Sequence, residues 1–219
     1  MKTAEISIPI NENIKLKGNL QVPYDPVALV IFSHGSGSSR FSKRNQHVAG
    51  ILNGYNIATL LIDLLTEKED SVYQNRFNIE LLTNRLVDVT NYCIQLSEFK
   101  NLGVGYFGAS TGAASALKAA ARMPSVIQTV VSRGGRPDLA ADAILNVKAP
   151  TLLIVGSLDM DVILLNEIAY SKLNCEKELR IVKGAGHLFE EPGKLDEVAT
   201  LAAEWFNKHL IFNSAIDIK

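Results

Sequence analysis

The sequence predicts an α/β fold with a doubly wound, mostly parallel sheet that opens on an N-terminal antiparallel hairpin. Three observations carry this expectation. The first 22 residues alternate apolar and polar side chains, five later segments are continuous apolar runs, and the stretches between those runs repeat apolar residues every three or four positions. Alternation marks half-buried strands and uninterrupted runs mark parallel strands covered on both faces. The wider spacing marks helices lying on the sheet.

Taken in order, Ile6, Ile8 and Ile10, then Ile14, Leu16, Leu20 and Val22, make the hairpin. Parallel strands are expected over Val27 to Phe32, Ile57 to Ile62, Leu102 to Phe107, Val126 to Val131 and Thr151 to Val155, with a shorter one near Leu179 to Val182. Helices are expected over Phe41 to Leu52, Ile79 to Leu96, Thr111 to Arg122, Asp138 to Leu145, Val162 to Leu173 and Lys194 to His209. Cys93 falls on the apolar face of the second of these, as a core thiol. Such alternation folds through right-handed crossovers. The polar segment Leu65 to Asn78 is too long for a minimal connection and is expected as a loop over the carboxyl edge of the sheet, where ligands bind. Between Val131 and Thr151 there is room for one short helix, so no large cap domain is expected. The whole chain, residues 1–219, is expected to form one domain.

Composition narrows the function. With 47% hydrophobic residues, the chain can bury a large core without a metal or disulfide. Its 22 basic and 23 acidic residues are interspersed, so no electrostatic footprint for nucleic acid or an anionic membrane is expected. No run reaches the length of a membrane span, and the segment after Met1 is polar rather than a secretory h-region, which makes a cytoplasmic protein the expectation. Cys93 and Cys175 make neither a disulfide framework nor a metal-ligand spacing, so no metal and no cofactor are expected.

Chemistry concentrates in four short motifs. Gly108-Ala109-Ser110-Thr111-Gly112 follows a strand and opens an alanine-rich helix, the setting of a G-x-S-x-G nucleophile elbow. A serine hydroxyl is a weak nucleophile, so it requires a base and an anion-stabilising site beside it. His187, in Gly184-Ala185-Gly186-His187 after the last strand, is the candidate base; His47 and His209 fall in expected helices. Asp159, in Gly156-Ser157-Leu158-Asp159, is the candidate carboxylate that holds the imidazole in one tautomer. Asp161 competes with it, but reads as the cap of a helix beginning at Val162. The order Ser110, Asp159, His187 is that of one known triad arrangement among three. His34-Gly35-Ser36-Gly37 follows the first parallel strand as a candidate oxyanion turn, with the Ser36 amide as one donor, Gly37 as the neighbouring possibility and the Thr111 amide as the other donor. The same turn lacks the lysine of a phosphate-binding P-loop.

Together these motifs resemble the α/β-hydrolase superfamily, and within it the small dienelactone hydrolase-like branch, from about Lys15 to Leu210. The resemblance implies a compact, nearly capless, cofactor-free esterase acting on a small-molecule ester or related acyl substrate. Dienelactone hydrolases proper use a cysteine nucleophile, whereas this chain has Ser110, which detaches the dienelactone substrate from the expectation. Arg40, Arg133 and Arg136 are candidate substrate-binding residues for an anionic group, against the alternative that they pair with loop carboxylates; Arg44 also follows the oxyanion turn. Two other functions stay open on sequence grounds. One is hydrolysis of an amide or carbon–carbon bond, and the other is a binding protein that retains the fold without catalysis. In either catalytic case the cleft is expected to be shallow, bounded by the 65–78 loop and the helix that follows Pro137.

Overall fold

A computed structural model describes residues 1–210, which form one eight-stranded sheet in the order β1-β2-β4-β3-β5-β6-β7-β8. β1 (Lys2–Pro9) and β2 (Lys15–Val22) are the antiparallel hairpin, and β2 also runs antiparallel to β4 (Ile57–Ile62). From there across β3 (Ala28–Ser33), β5 (Gly103–Ala109), β6 (Ile127–Arg133), β7 (Thr151–Gly156) and β8 (Lys177–Val182) all pairings are parallel. β3, β4, β5 and β7 are buried along their whole length, which is why they are written as continuous apolar runs.

The helices divide between the two faces. α1 (Lys43–Gly54) and α6 (Lys194–His209) pack together on one face, where Val48, Leu52, Val198 and Phe206 meet Val30, Phe32 and Phe107. α3 (Ile79–Gln95) and α4 (Thr111–Arg122) cover the other, joined by α5 (Met160–Lys172) toward the β7–β8 edge. There Leu82, Leu86, Val89 and Leu117 meet Leu29, Ile31 and Tyr106. Successive residues of β3 thus serve opposite cores, as the two-residue period of a strand requires. Each such fully buried aliphatic side chain contributes about 1.5–3 kcal/mol relative to exposure. Cys93 lies in the α3 core, and burial pushes its thiol up to about 12.

Three expectations change in the folded chain. The 65–78 segment is not an irregular loop. Thr66 and Glu69 form a capping box that starts the short helix α2 (Glu67–Asp70), a 3-10 turn follows over Tyr73–Phe77, and Arg85 of α3 holds Glu69 at 2.7 Å. The helix expected over Asp138 to Leu145 is instead two 3-10 turns, Pro137–Ala140 and Ile144–Asn146. α5 starts at Met160, so Asp161 lies in its first turn and Asp159 occupies the N-cap position. Asp161 is therefore not the helix cap, because the helix begins two residues earlier than its apolar pattern.

The chain runs from β3 to β4 on one side and then back to β5 on the other. Connections leaving the carboxyl ends of β3 and β5 consequently diverge, and such a switch point opens a crevice. The turn after β3 and the elbow after β5 meet in it.

Candidate active site

Ser110 sits between β5 and α4 with φ 51° and ψ −123°, a left-handed conformation that a side-chain-bearing residue adopts only when its surroundings enforce it. Those surroundings are visible. The Ser110 amide donates to the Arg133 carbonyl at 3.1 Å, while the Ser110 carbonyl accepts from the Ala113 and Arg136 amides. A Cβ on Gly108 would stand 2.4 Å from the Ala113 Cα, and one on Gly112 would stand 2.2 Å from the Ser33 carbonyl oxygen. Neither position tolerates a side chain, which explains both glycines of the motif by close packing of strand, helix and the neighbouring β3 turn.

His187 reaches Ser110 from the loop after β8. Its Nε2 lies 3.3 Å from Ser110 Oγ, and its Nδ1 lies 2.6 Å from Asp159 Oδ2. A carboxylate only accepts, so Nδ1 carries the proton and Nε2 is left as the acceptor facing the hydroxyl. Asp159, although at the N-cap of α5, makes no capping hydrogen bond with its side chain. Its oxygen is given to the imidazole instead. The loop that carries His187 is tied down by the Gly186 amide, which donates to Glu191 Oε1 at 2.9 Å.

The turn after β3 is fastened to the elbow. The Ser36 amide donates to Thr111 Oγ1 at 2.8 Å, and the Ser38 amide closes a turn on the Gly35 carbonyl at 3.1 Å. The Thr111 amide is the first of α4 and has no intrahelical acceptor. Both candidate donors thus lie at one junction, with the Ser36 N–H occupied by the threonine hydroxyl.

Ser110 and His187 open into a cavity of about 260 Å³ whose other walls include Ser36, Arg44, Asn45, Arg133 and Leu188. The cavity is bounded by α1 and the His187 loop, not by the 65–78 segment or the turns after Pro137. The 65–78 segment borders a separate hollow with His34, Ser39 and Asp63.

The three arginine candidates have different fates. Arg40 is buried and saturated: it pairs with Asp63 through both backbone and guanidinium, and reaches Glu5 and Asn19 as well. Arg136 makes a two-pronged pair with its near neighbour Asp138, at 2.8 Å for each bond, and does not line the cavity. Arg133 does line it. Its side chain is buried, makes no hydrogen bond or ion pair among the described residues, and stacks loosely over the Phe107 ring at 5.9 Å. Burial, then the nearby Arg44, brings its pKa down to about 10, which leaves it a cation at neutral pH. Asn45 and Leu188 were invisible as site residues in the sequence, since nothing in a helix pattern or a loop tells which side chain faces a crevice. Among the described residues no group of three or more His, Cys, Asp and Glu side chains is placed to hold a metal, and no helix is long and apolar enough to cross a membrane.

A serine at a strained elbow, an imidazole and a carboxylate on an eight-stranded α/β sheet define the class of α/β-hydrolases. The chain belongs to the dienelactone hydrolase family, whose sequence profile matches residues 63–214. A dienelactone hydrolase from Anabaena variabilis is 51% identical and superposes with a TM-score of 0.92, over 95% of this chain and 98% of that one. Est1E from Butyrivibrio proteoclasticus shares the fold at a TM-score of 0.80 and 16% identity, over 93% of this chain and 98% of that one. Proteins of Mycobacterium tuberculosis named "Putative phosphoribosyl transferase" are 52% identical over 197 residues, 90% of this chain and 44% of their own length. The chain therefore spans less than half of those relatives.

Proposed function

We propose that the chain is a serine esterase that cleaves a small ester or thioester through Ser110, His187 and Asp159. The observation that supports this most directly is the unbroken line of contacts from Ser110 Oγ through the imidazole to Asp159, at 3.3 and 2.6 Å. In this reading Nε2 of His187 takes the Ser110 proton as Oγ attacks the carbonyl carbon. Asp159 stabilises the imidazolium that results. The oxyanion then gathers on the Thr111 amide and on the Ser36 amide once Thr111 Oγ1 yields it, each donor being worth about 3 kcal/mol of barrier. His187 returns its proton to the leaving alcohol or thiol, and water, activated by the same imidazole, releases the acyl group from Ser110.

The phosphoribosyl transferase name of the Mycobacterium tuberculosis relatives belongs to proteins more than twice the length of the matched span. An activated hydroxyl beside two backbone donors is suited to attack on a carbonyl, which favours hydrolysis for this portion.

A fluorophosphonate probe tests the reading without knowledge of the substrate. Stoichiometric labelling that disappears in Ser110→Ala is the expected result, and equal labelling of both proteins overturns it. A panel of oxygen esters, thioesters and amides then separates the bond classes.

A further inference from the structure

We propose that Arg133 and Arg44 form an anion subsite beside Ser110, which selects substrates carrying a carboxylate or phosphate group on the acyl portion. The proposal rests on the esterase reading for its kinetics, though not for binding. Four observations carry it. Arg133 is 7% exposed and its Nη1 is buried without a partner, as is Nε of Arg44. Both side chains wall the cavity that contains Ser110 and His187. Arg133 is held one strand away from the elbow, since β6 pairs Arg133 with Ala109 and its carbonyl takes the Ser110 amide. Finally, the only carboxylate that contacts either guanidinium among the described residues is Glu190, 2.6 Å from Arg44 Nη1.

Two cations thus line one open cavity, and among the described residues Glu190 is the one carboxylate in contact with either. A buried guanidinium left without acceptors is unfavourable unless something else supplies them, and an oxyanion of the substrate does. Carboxylate and phosphate both match the planar fork of arginine. Glu190 is mostly exposed and pairs with Arg44, so an entering anion competes with it for the same guanidinium.

The experiment has a kinetic arm and a binding arm, both on the intact protein. In the first, kcat/KM is compared for mono-p-nitrophenyl glutarate and the neutral p-nitrophenyl pentanoate. The expected preference for the anionic ester is about tenfold or more, and Arg133→Met removes most of it while Arg133→Lys, which keeps the charge but loses the fork, removes part. Equal kcat/KM for the two esters in the unaltered enzyme, or an equal loss on both in Arg133→Met, overturns the subsite. In the second arm, glutarate and inorganic phosphate are titrated by calorimetry, with glutaramide as the neutral control. Saturable binding of one anion, weakened about tenfold or more by Arg133→Met and strengthened by Glu190→Gln, supports the subsite, and the tighter ligand identifies the group. No anion binding above the glutaramide control overturns it. If anions bind but no ester is turned over, the subsite stands and the esterase reading falls.

Discussion

Two charged clusters stand side by side at the carboxyl edge of the sheet, and their wiring differs. On the β3–β4 side, Arg40 is 9% exposed and each of its three guanidinium nitrogens has a partner, Asn19, Asp63 or Glu5. On the β5–β6 side, Arg133 is buried to nearly the same degree yet meets no acceptor, and the neighbouring Ser110 hydroxyl, in contact with the imidazole, opens into the same cavity. A buried arginine is therefore not informative by its burial. What matters is whether the protein closes its own hydrogen bonds, as a structural network does, or leaves donors for something that arrives.

The comparison predicts that changes in the open cluster alter activity and changes in the closed one alter stability. The largest effect is expected from Ser110→Ala, which lowers kcat on a short p-nitrophenyl ester by about a millionfold, since the nucleophile and its base act as a unit. The melting temperature stays near that of the parent. Loss of cooperative unfolding in this variant would place Ser110 in the structural class instead.

Next comes Asp159→Asn. An amide can no longer fix the imidazole tautomer, and activity is expected to fall by about ten thousandfold. Asp161→Asn, in the first turn of α5, is expected to change activity and stability little, within about 0.5 kcal/mol, since the imidazole is bonded by Asp159. Steady-state kinetics of the pair decides the matter, and the reverse ranking would move the orienting role to Asp161.

The smallest effects sharpen the contrast between the two arginines. Arg40→Met leaves the partly buried Asp63 carboxylate only the backbone amide of residue 40 as a hydrogen-bond donor and is expected to cost about 3 kcal/mol, a fall of roughly 10 °C in Tm for a chain of this size. Arg133→Met removes a buried cation that has no partner to strand, so its Tm is expected to hold or rise. Thermal melts of the two variants measure this directly. Equal destabilisation by both would erase the distinction between closed and open clusters.

Much of the architecture was legible because it follows from local pattern. Continuous apolar runs located the central strands to within a residue or two, and α4 and α6 have the bounds that their periodicity indicates. The 65–78 segment was less legible, since the capping box of Thr66 and Glu69 is brief and carries no apolar repeat. After β6, the Pro137 to Leu145 stretch misled because its helical composition does not distinguish one α-helix from the two 3-10 turns that lie against α4 and α5.

The sequence by itself determined the order of strands and helices, the elbow, and the candidate identities Ser110, Asp159 and His187, because each depends on residues adjacent in the chain. Only the tertiary structure decided which arginine meets the cavity. Arg136 has its acceptor, Asp138, two residues along the chain, but nothing local separates Arg40 from Arg133. The roles of these two depend on acceptors remote in sequence, Asp63 and Glu5 for Arg40, or on their absence, as for Arg133. The physical reason is that secondary structure is written in short-range periodicity, whereas the satisfaction of a buried charge is a property of whatever the fold brings alongside it.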